Sequence, residues 1–487
     1  MKRTLLHFIL ILFVSKIVAQ TPKIISGPMN GYAEHRECLI WVQTKCTKKI
    51  KIKYAVENEE KIKSEWVKNI KNGDKCEAVI TKCIIDNLLP GKTYKYSIEL
   101  DDKEIKFDYP LKFITRDLWE WRTSAPNFSF IAGSCNYIND SIFDRPGEPY
   151  GQGTTIFQKM AENPAKTMIW LGDNVYLREA DYSSEFGIKY RYQHTRKQKD
   201  LQKLLATKNN YAIWDDHDFG PNNSCKVFDL KNISLETYKD YWGNKYYGHD
   251  GIGTYSKFQI SDGEFFMLDN RYFRDADELP DSLYNKSQLG QVQLDWFLQS
   301  ILTSQATFKF VVMGGQFLNF NTDQESYQFF KKEREYILNF IQNNKIDGVV
   351  FITGDRHHTE VLKFEPLLSD TLNHFEKLTN NSKKKKKEKK EKEEKSTEEE
   401  DVISTKKKTV LYEVTCSPLS SKGSNVLKTS EANNPQRIKQ TLVVEPNYCQ
   451  FSVSGGKNNR NLLIKCFDSK NELKWEFTIR QDELKWD

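Results

Sequence analysis

Apolar and polar residues alternate along this chain in two distinct ways, and the change from one to the other falls near residues 117–127. Before it, from about residue 23 to 115, the alternation has period two. Cys38-Leu-Ile-Trp-Val-Gln and Ile50-Lys-Ile-Lys-Tyr-Ala each turn every second side chain to the same side, which predicts strands of a sheet with one wet face. The stretch Leu88-Leu-Pro-Gly-Lys-Thr-Tyr-Lys-Tyr sets a turn directly before another such strand. A small all-β sandwich over 21–118 is the natural expectation. After it, short runs that are apolar throughout take over: Phe128-Ser-Phe-Ile-Ala-Gly, Met168-Ile-Trp-Leu-Gly, Tyr211-Ala-Ile-Trp, Phe265-Phe-Met-Leu-Asp, Phe308-Lys-Phe-Val-Val-Met-Gly and Val349-Val-Phe-Ile-Thr-Gly. Runs buried on both faces suit a central sheet covered by helices, and helical patterns at Val292–Leu302 and Glu325–Gln342 supply the cover. The fold class is α/β.

Composition adds limits. A chain of 487 residues exceeds one ordinary core, and 38% hydrophobic residues exclude wholesale disorder. The formal charge of +6 is small for this length, so no nucleic-acid partner is expected. Residues 1–20 read as a signal peptide: Lys2 and Arg3, an apolar run from Leu5 to Val14, then Val18-Ala19-Gln20 at a cleavage site. That run is too short to span a bilayer, and no later stretch is long enough, so a secreted or periplasmic protein without a transmembrane segment is expected. Nine cysteines suit an oxidising compartment. The local pairs 38/46, 76/83 and 449/466 offer disulfides, and the odd count leaves a thiol over. Residues 382–408 are a low-complexity Lys/Glu insertion, either a solvated helix or a disordered segment. They interrupt a catalytic unit expected over 127–440. Residues 441–487 read as β-hairpins, a C-terminal β extension.

Chemistry gathers where the apolar runs end. The first ends in Gly133-Ser-Cys135-Asn-Tyr137 and the second in Gly172-Asp173-Asn-Val-Tyr176. The third ends in Trp214-Asp215-Asp216-His217-Asp218, followed by Asn222 and Asn223, and the last in Gly354-Asp355-Arg356-His357-His358. Sites in α/β sheets form at the carboxyl ends of strands. One Gly-Asp there is an ordinary turn, but carboxylates converging from several strands repel. Desolvating each charge costs on the order of several kcal/mol unless cations offset it. A metal site follows. Oxygen ligands with an imidazole suit iron, manganese, calcium or magnesium; a thiolate and a phenolate move one position towards Fe(III) or zinc. A two-metal centre would activate water and clamp phosphoryl oxygens, with Asp173 the natural bridge.

The order Gly-Ser-Cys, Gly-Asp-x-x-Tyr, Trp-Asp-Asp-His-Asp, Gly-Asp-x-His resembles the alkaline phosphatase D (PhoD-like) family of the metallophosphatase superfamily, over about Phe128 to Leu419. The Leu-x-Pro-Gly-x-x-Tyr-x-Tyr segment is similar to fibronectin type III sandwiches. The resemblance implies a four-layer α/β/β/α sandwich behind the small β domain, and an exported hydrolase of small-molecule phosphate monoesters or diesters. Carried over by position, Cys135, Asp173, Tyr176 and His357 would surround Fe(3+). Asp173, Asp216 and Asp355 would hold Ca(2+), with zinc, manganese or magnesium as alternatives. Asp216-His217-Asp218 takes the place of an Asn-His-Glu trio, which makes His217, beside Asp216, the proton donor or phosphate-polarising group. Tyr137, Asp215 and Asn222 are candidates for supporting roles. Gln316 departs from the pattern, standing where related phosphatases present an imidazole.

Arg196, Arg356 and Asn222 are the candidate substrate contacts, within a wider set that includes Arg178, Arg191, Arg271, Arg274, Tyr192 and His194. A thiol nucleophile at Cys135 is disfavoured, because no Cys-x5-Arg loop follows it. Two other readings stay open: a phospholipase D-like activity on lipid headgroups, and a metal-binding surface module without catalysis.

Overall fold

In the computed structural model, residues 21–59, 64–71, 76–282, 284–321, 324–365 and 410–486 are described. The expected signal peptide and the Lys/Glu insertion lie outside them. A nine-stranded sheet runs through the molecule. Its middle is β9 (Phe128–Gly133), β10 (Thr167–Leu171) and β11 (Asn209–Ile213), paired in parallel. Beyond β11 come β1 (Lys23–Ala33), β2 (Cys38–Lys45) and β5 (Ala78–Ile85); beyond β9 come β18 (Asn447–Gly456), β19 (Asn459–Asp468) and β20 (Leu473–Arg480). Sheet pairing therefore crosses both positions, near 118 and 440, where the sequence suggests domain boundaries. β1 is joined to β11 at Asn30↔Asn209, and Asn30 sews the seam: its amide donates to the Lys112 and Ala206 carbonyls and accepts from the Tyr96 hydroxyl. Three buried polar groups are satisfied at once.

A second sheet holds β12 (Ser256–Ile260), β13 (Gly263–Met267), β14 (Phe308–Met313), β15 (Val349–Thr353), β17 (Leu411–Thr415) and β16 (Glu360–Phe364), in that order. The two sheets meet through aromatic rings: Phe130 stacks on Phe451 at 4.7 Å and meets Phe265 and Phe310 edge-on at 4.9 and 5.2 Å. Against the far face of the second sheet pack α6 (Gln291–Thr303) and α7 (Lys331–Asn343), through Phe297, Ile301, Ile337 and Ile341. The expected helix from Glu325 begins instead as a 3-10 turn, Tyr327–Phe330, capped by the Ser326 hydroxyl. The first sheet is covered by α1 (Thr155–Glu162), α2 (Glu185–Arg196), α3 (Lys199–Thr207) and α5 (Lys231–Tyr241), while α4 (Asp216–Phe219) is one turn at the exit of β11. A third sheet of β3 (Lys49–Val56), β4 (Ser64–Asn69), β6 (Thr93–Leu100), β7 (Lys103–Ile105) and β8 (Lys112–Ile114) closes a sandwich over β1, β2 and β5 around Ile40, Ile52, Ile98 and Phe113.

The cysteine pairing differs from the expectation. The disulfide is Cys46–Cys76, joining the end of β2 to the start of β5, so Cys46 does not pair with Cys38, nor Cys76 with Cys83. Cys38 and Cys83 point into the sandwich core as buried thiols. Cys449 and Cys466 face each other across β18 and β19 and are free.

Candidate metal centre and active site

The parallel strands β9, β10, β11 and β15 all deliver their carboxyl ends to one rim, and the backbone there bends sharply. Cys135, Asp173, Asp355 and His357 have φ of 61°, 52°, 65° and 53°. Non-glycine residues seldom adopt this left-handed region, and where they do the strain tends to mark function. Each bend turns a side chain from the strand's line into the common space. Glycines give that space its tightness: a Cβ on Gly314 would sit 2.4 Å from Asp215 Oδ2, and one on Gly172 would sit 2.7 Å from Asp215 Cβ.

Three overlapping groups have ligating atoms within 4.8 Å of one another: Cys135, Asp173 and His357; Asp173, Asp216 and His217; Asp215, Asp216 and Asp355. Asp173 and Asp216 are the shared members. Tyr176 joins the first group, its hydroxyl donating to Asp173 Oδ2 at 2.8 Å and lying 3.0 Å from His357 Nε2. Cys135 Sγ is 3.6 Å from Asp173 Oδ2 and accepts from the Ser417 hydroxyl at 3.1 Å. The His217 amide donates to Asp173 Oδ1 and Asp216 Oδ1, at 3.3 and 2.9 Å, and its ring stacks on Tyr176 with centroids 4.2 Å apart. Asp218 accepts from the backbone N–H groups of Asn174, Val175 and Asp215, so it ties the β10 exit to the β11 exit.

Electrostatically the cluster is strained. Burial, then repulsion from Asp216, Cys135, Asp215 and Asp355, pushes the Asp173 carboxyl far above its ordinary range. Burial and the neighbouring carboxylates raise Asp355 to about 8, and burial of Asp215 outweighs Arg271 and raises it to about 6. The Cys135 thiol is pushed up to about 12, chiefly by burial. Asp216 runs the other way: despite burial, His217, Arg271 and the Asn223 N–H hold it below the usual carboxylate range. Asp215 Oδ2 and His217 Nδ1 are buried without a hydrogen-bond partner. Buried polar atoms left without partners among like charges are what a bound cation or other ligand would satisfy.

Comparison with known proteins gives the family. Residues 130–456 match the family model described as PhoD-like phosphatase. The chain belongs to the PhoD-like phosphatase family. It is 23% identical over 324 residues to the alkaline phosphatase D of Bacillus subtilis (strain 168), covering 56% of this chain and 52% of that protein. The chain thus spans about half the length of this curated relative. A solved structure titled "Structure of PhoD" superposes with a TM-score of 0.71 at 15% identity, over 94% of this chain and 90% of the other, which shows a shared fold.

Within this PhoD-like chain the expected substrate contacts have other employment. The Arg196 guanidinium is buried, lies 3.9 Å over the Trp242 ring and donates to the Tyr241 carbonyl; it is a core residue. Arg356 is held by both carboxylate oxygens of Glu431 at 2.6 Å. Asn222 is exposed and donates only to the Asn223 side chain, while the backbone N–H of Asn223 reaches Asp216 Oδ2 at 2.7 Å. Arg178 pairs with Asp144, Arg191 with Asp140 and Asp181, and Arg274 with Asp277 and Glu325. Arg271 bridges Asp215 and Glu325, with Asp216 at 3.9 Å. Buried charges find partners in this way because an unpaired one would be costly. Tyr137 borders Tyr176 at 5.1 Å, Tyr192 is core, and His194 lies 3.6 Å from Asp140. Gln316 is turned away from the rim, its amide spent on Glu360, Thr415 and Asn319.

Several neighbours of the centre went unread in the sequence. Asn270 donates to Asp215 Oδ1 at 2.8 Å; its segment, Asp269-Asn270-Arg271, follows β13 as the other motifs follow their strands, so that signal was available. Ser417, Ser421 and Tyr150 touch Cys135 or His357 from loops without periodicity.

Proposed function

We propose that this chain is a metal-dependent phosphoesterase that hydrolyses small phosphate monoesters or diesters. The observation that carries the reading is the chain of three ligand groups sharing Asp173 and Asp216. A thiol, a phenol, an imidazole and a carboxylate at one end suit Fe(3+), and carboxylates alone at the other suit Ca(2+). Cys135, Asp173, Tyr176 and His357 would hold the first cation, and Asp173, Asp216 and Asp355 the second. Such a pair supplies Lewis-acid activation of water and charge stabilisation at phosphoryl oxygens when bound.

The remaining work falls to the chain. His217, fixed by its amide to Asp173 and Asp216 and by its ring to Tyr176, presents an unpartnered Nδ1. It is suited to hydrogen-bond a phosphoryl or leaving oxygen. Arg271 holds Asp215 and, after His217, helps to hold the Asp216 carboxyl below its usual range despite burial. Helices packed outside two facing sheets would make up the four-layer arrangement that the family reading implies. Export fits the signal peptide expected over residues 1–20 and the Cys46–Cys76 disulfide; among the described residues no helix is long and apolar enough to cross a membrane.

The test is hydrolysis of paired chromogenic monoester and diester substrates at pH 7 to 10, with and without chelator and with iron, calcium, zinc or manganese restored. Turnover that chelator abolishes, and that Asp173→Asn and His217→Ala both lose, supports the reading. Folded protein that is inert under every metal refutes it in favour of a binding module.

A further inference from the structure

The loop from Asn139 to Gly151 leaves the β9 exit and returns beside the metal-ligating cluster. Its base is closed by two hydrogen bonds of 2.9 Å, Asn139 Nδ2 to the Gly151 carbonyl and the Gly151 amide to Asn139 Oδ1. Asp144 braces it from within, accepting from the Tyr137 hydroxyl, Arg178 Nε and the Asp140 amide at 2.9, 2.9 and 2.6 Å. Residue 151 has to be glycine, since a Cβ there would stand 2.7 Å from the Tyr137 carbonyl oxygen. This frame fixes the residue before it, Tyr150.

The Tyr150 ring meets Tyr137 edge-on at 4.9 Å, and Tyr137 meets Tyr176 at 5.1 Å. The three rings run from inside outwards: Tyr176 is 4% exposed and Tyr150 40%. The Tyr150 hydroxyl is 3.2 Å from His357 Nδ1, which already has the Lys422 carbonyl at 2.7 Å and the Ser421 hydroxyl at 3.0 Å. The hydroxyl is therefore one of several partners of the imidazole, whereas the half-open ring has no such substitute. It flanks the side on which Asp355 and His357 are partly exposed, while Asp173, Asp215 and Asp216 are buried.

An ester whose phosphoryl group sat at the carboxylate rim would have its leaving group on this half-open side, beside Tyr150. We propose that Tyr150 is a specificity-determining residue, its ring receiving the flat apolar face of the leaving group and favouring aryl esters over those of small polar alcohols. Aromatic pairs with centroids about 4.5–7 Å apart gain attraction beyond simple burial, and the frame holds the ring in place before substrate arrives. The proposal rests on the phosphoesterase reading for its substrates but not for its binding.

Two measurements on the full chain separate them. The first is calorimetric binding of phenylphosphonate and methylphosphonate to wild type, Tyr150→Phe and Tyr150→Ala. The second is the kcat/KM ratio for 4-nitrophenyl phosphate over glycerol phosphate in the same proteins. Wild type and Tyr150→Phe should prefer the phenyl ligand by about tenfold, and Tyr150→Ala should lose that preference, with a matching fall in the kinetic ratio. A phenyl preference that survives Tyr150→Ala, or that Tyr150→Phe loses, overturns the proposal even if esters are turned over. A preference lost only in Tyr150→Ala, in a protein that hydrolyses neither ester, upholds the proposal and refutes the phosphoesterase reading. Should Tyr150→Ala fail to fold, Tyr150→Leu replaces it, keeping bulk but not flatness, with the same outcomes.

Discussion

Two acidic clusters are buried in this molecule, one where strands of both sheets end and one on the second sheet, and they are built on opposite principles. At the rim, Asp173, Asp215, Asp216 and Asp355 crowd together, two polar atoms lack partners, and the backbone is bent into the left-handed region. On β16 and β17, Glu360 and Glu413 are equally buried but answered. Glu413 accepts from the Phe317 and Leu318 amides and the Thr353 hydroxyl at 2.8, 2.6 and 2.9 Å. Glu360 accepts from Gln316 and pairs with Arg437 and His358. Burial raises Glu413 to about 7, whereas at Glu360 the contacts with His358 and Arg437 outweigh burial and hold the carboxyl down at about 2. A buried acid that serves structure is surrounded by donors, and one that serves chemistry is left wanting a ligand.

That contrast is open to attack by mutation. The largest effect expected is at the rim: Asp173→Asn should cut turnover by ~10³-fold, while its melting temperature in chelator should not fall, because an acid that is costly to ionise at that place has gone. A clear loss of stability there would erase the distinction. Glu360→Gln should do the reverse, costing about 3 kcal/mol at pH 7 by urea unfolding. Its sign is set by a lowered folded pKa: the stabilisation is present above the ordinary glutamate range and is lost as pH falls towards about 2. The gap between variant and wild type should therefore close below about pH 4. Metal added to chelated protein should stabilise it by about 2.7 kcal/mol at a hundredfold excess over Kd, in Glu360→Gln as in wild type, but less in Asp173→Asn. The smallest effect belongs to Asn222→Ala, expected to change stability by less than about 0.5 kcal/mol and turnover by less than about twofold, since its exposed side chain touches only Asn223.

The same contrast explains what could be read from the sequence. Cys135, Asp173, Asp216, Asp355 and His357 follow apolar runs within a few residues, so strand and exit are legible together and the topology needs only to be α/β for them to converge. The arginines are different. Whether Arg196 or Arg356 faces substrate depends on Trp242 and Glu431, which lie elsewhere in the chain and carry no local mark. Strand identity was similarly local, but sheet membership was not: nothing in the residues of β1 says that it pairs with β11 as well as with β2. The disulfide repeats the lesson, since proximity in sequence suggested Cys76 with Cys83 while proximity across the sheet joined Cys46 to Cys76.

The nine-stranded sheet has a consequence for how the molecule comes into being. β9, whose exit leads to Cys135, is flanked by β10 on one side and by β18 on the other, where Phe130 lies opposite Phe451. During synthesis that flank stays an unpaired edge until almost the whole chain has left the ribosome. Contacts of such long sequence separation close slowly, so the first ligand-bearing strand is among the last to be completed. A chain stopped before residue 447 would hold nearly every residue of the rim and still leave β9 open to pairing with a neighbour.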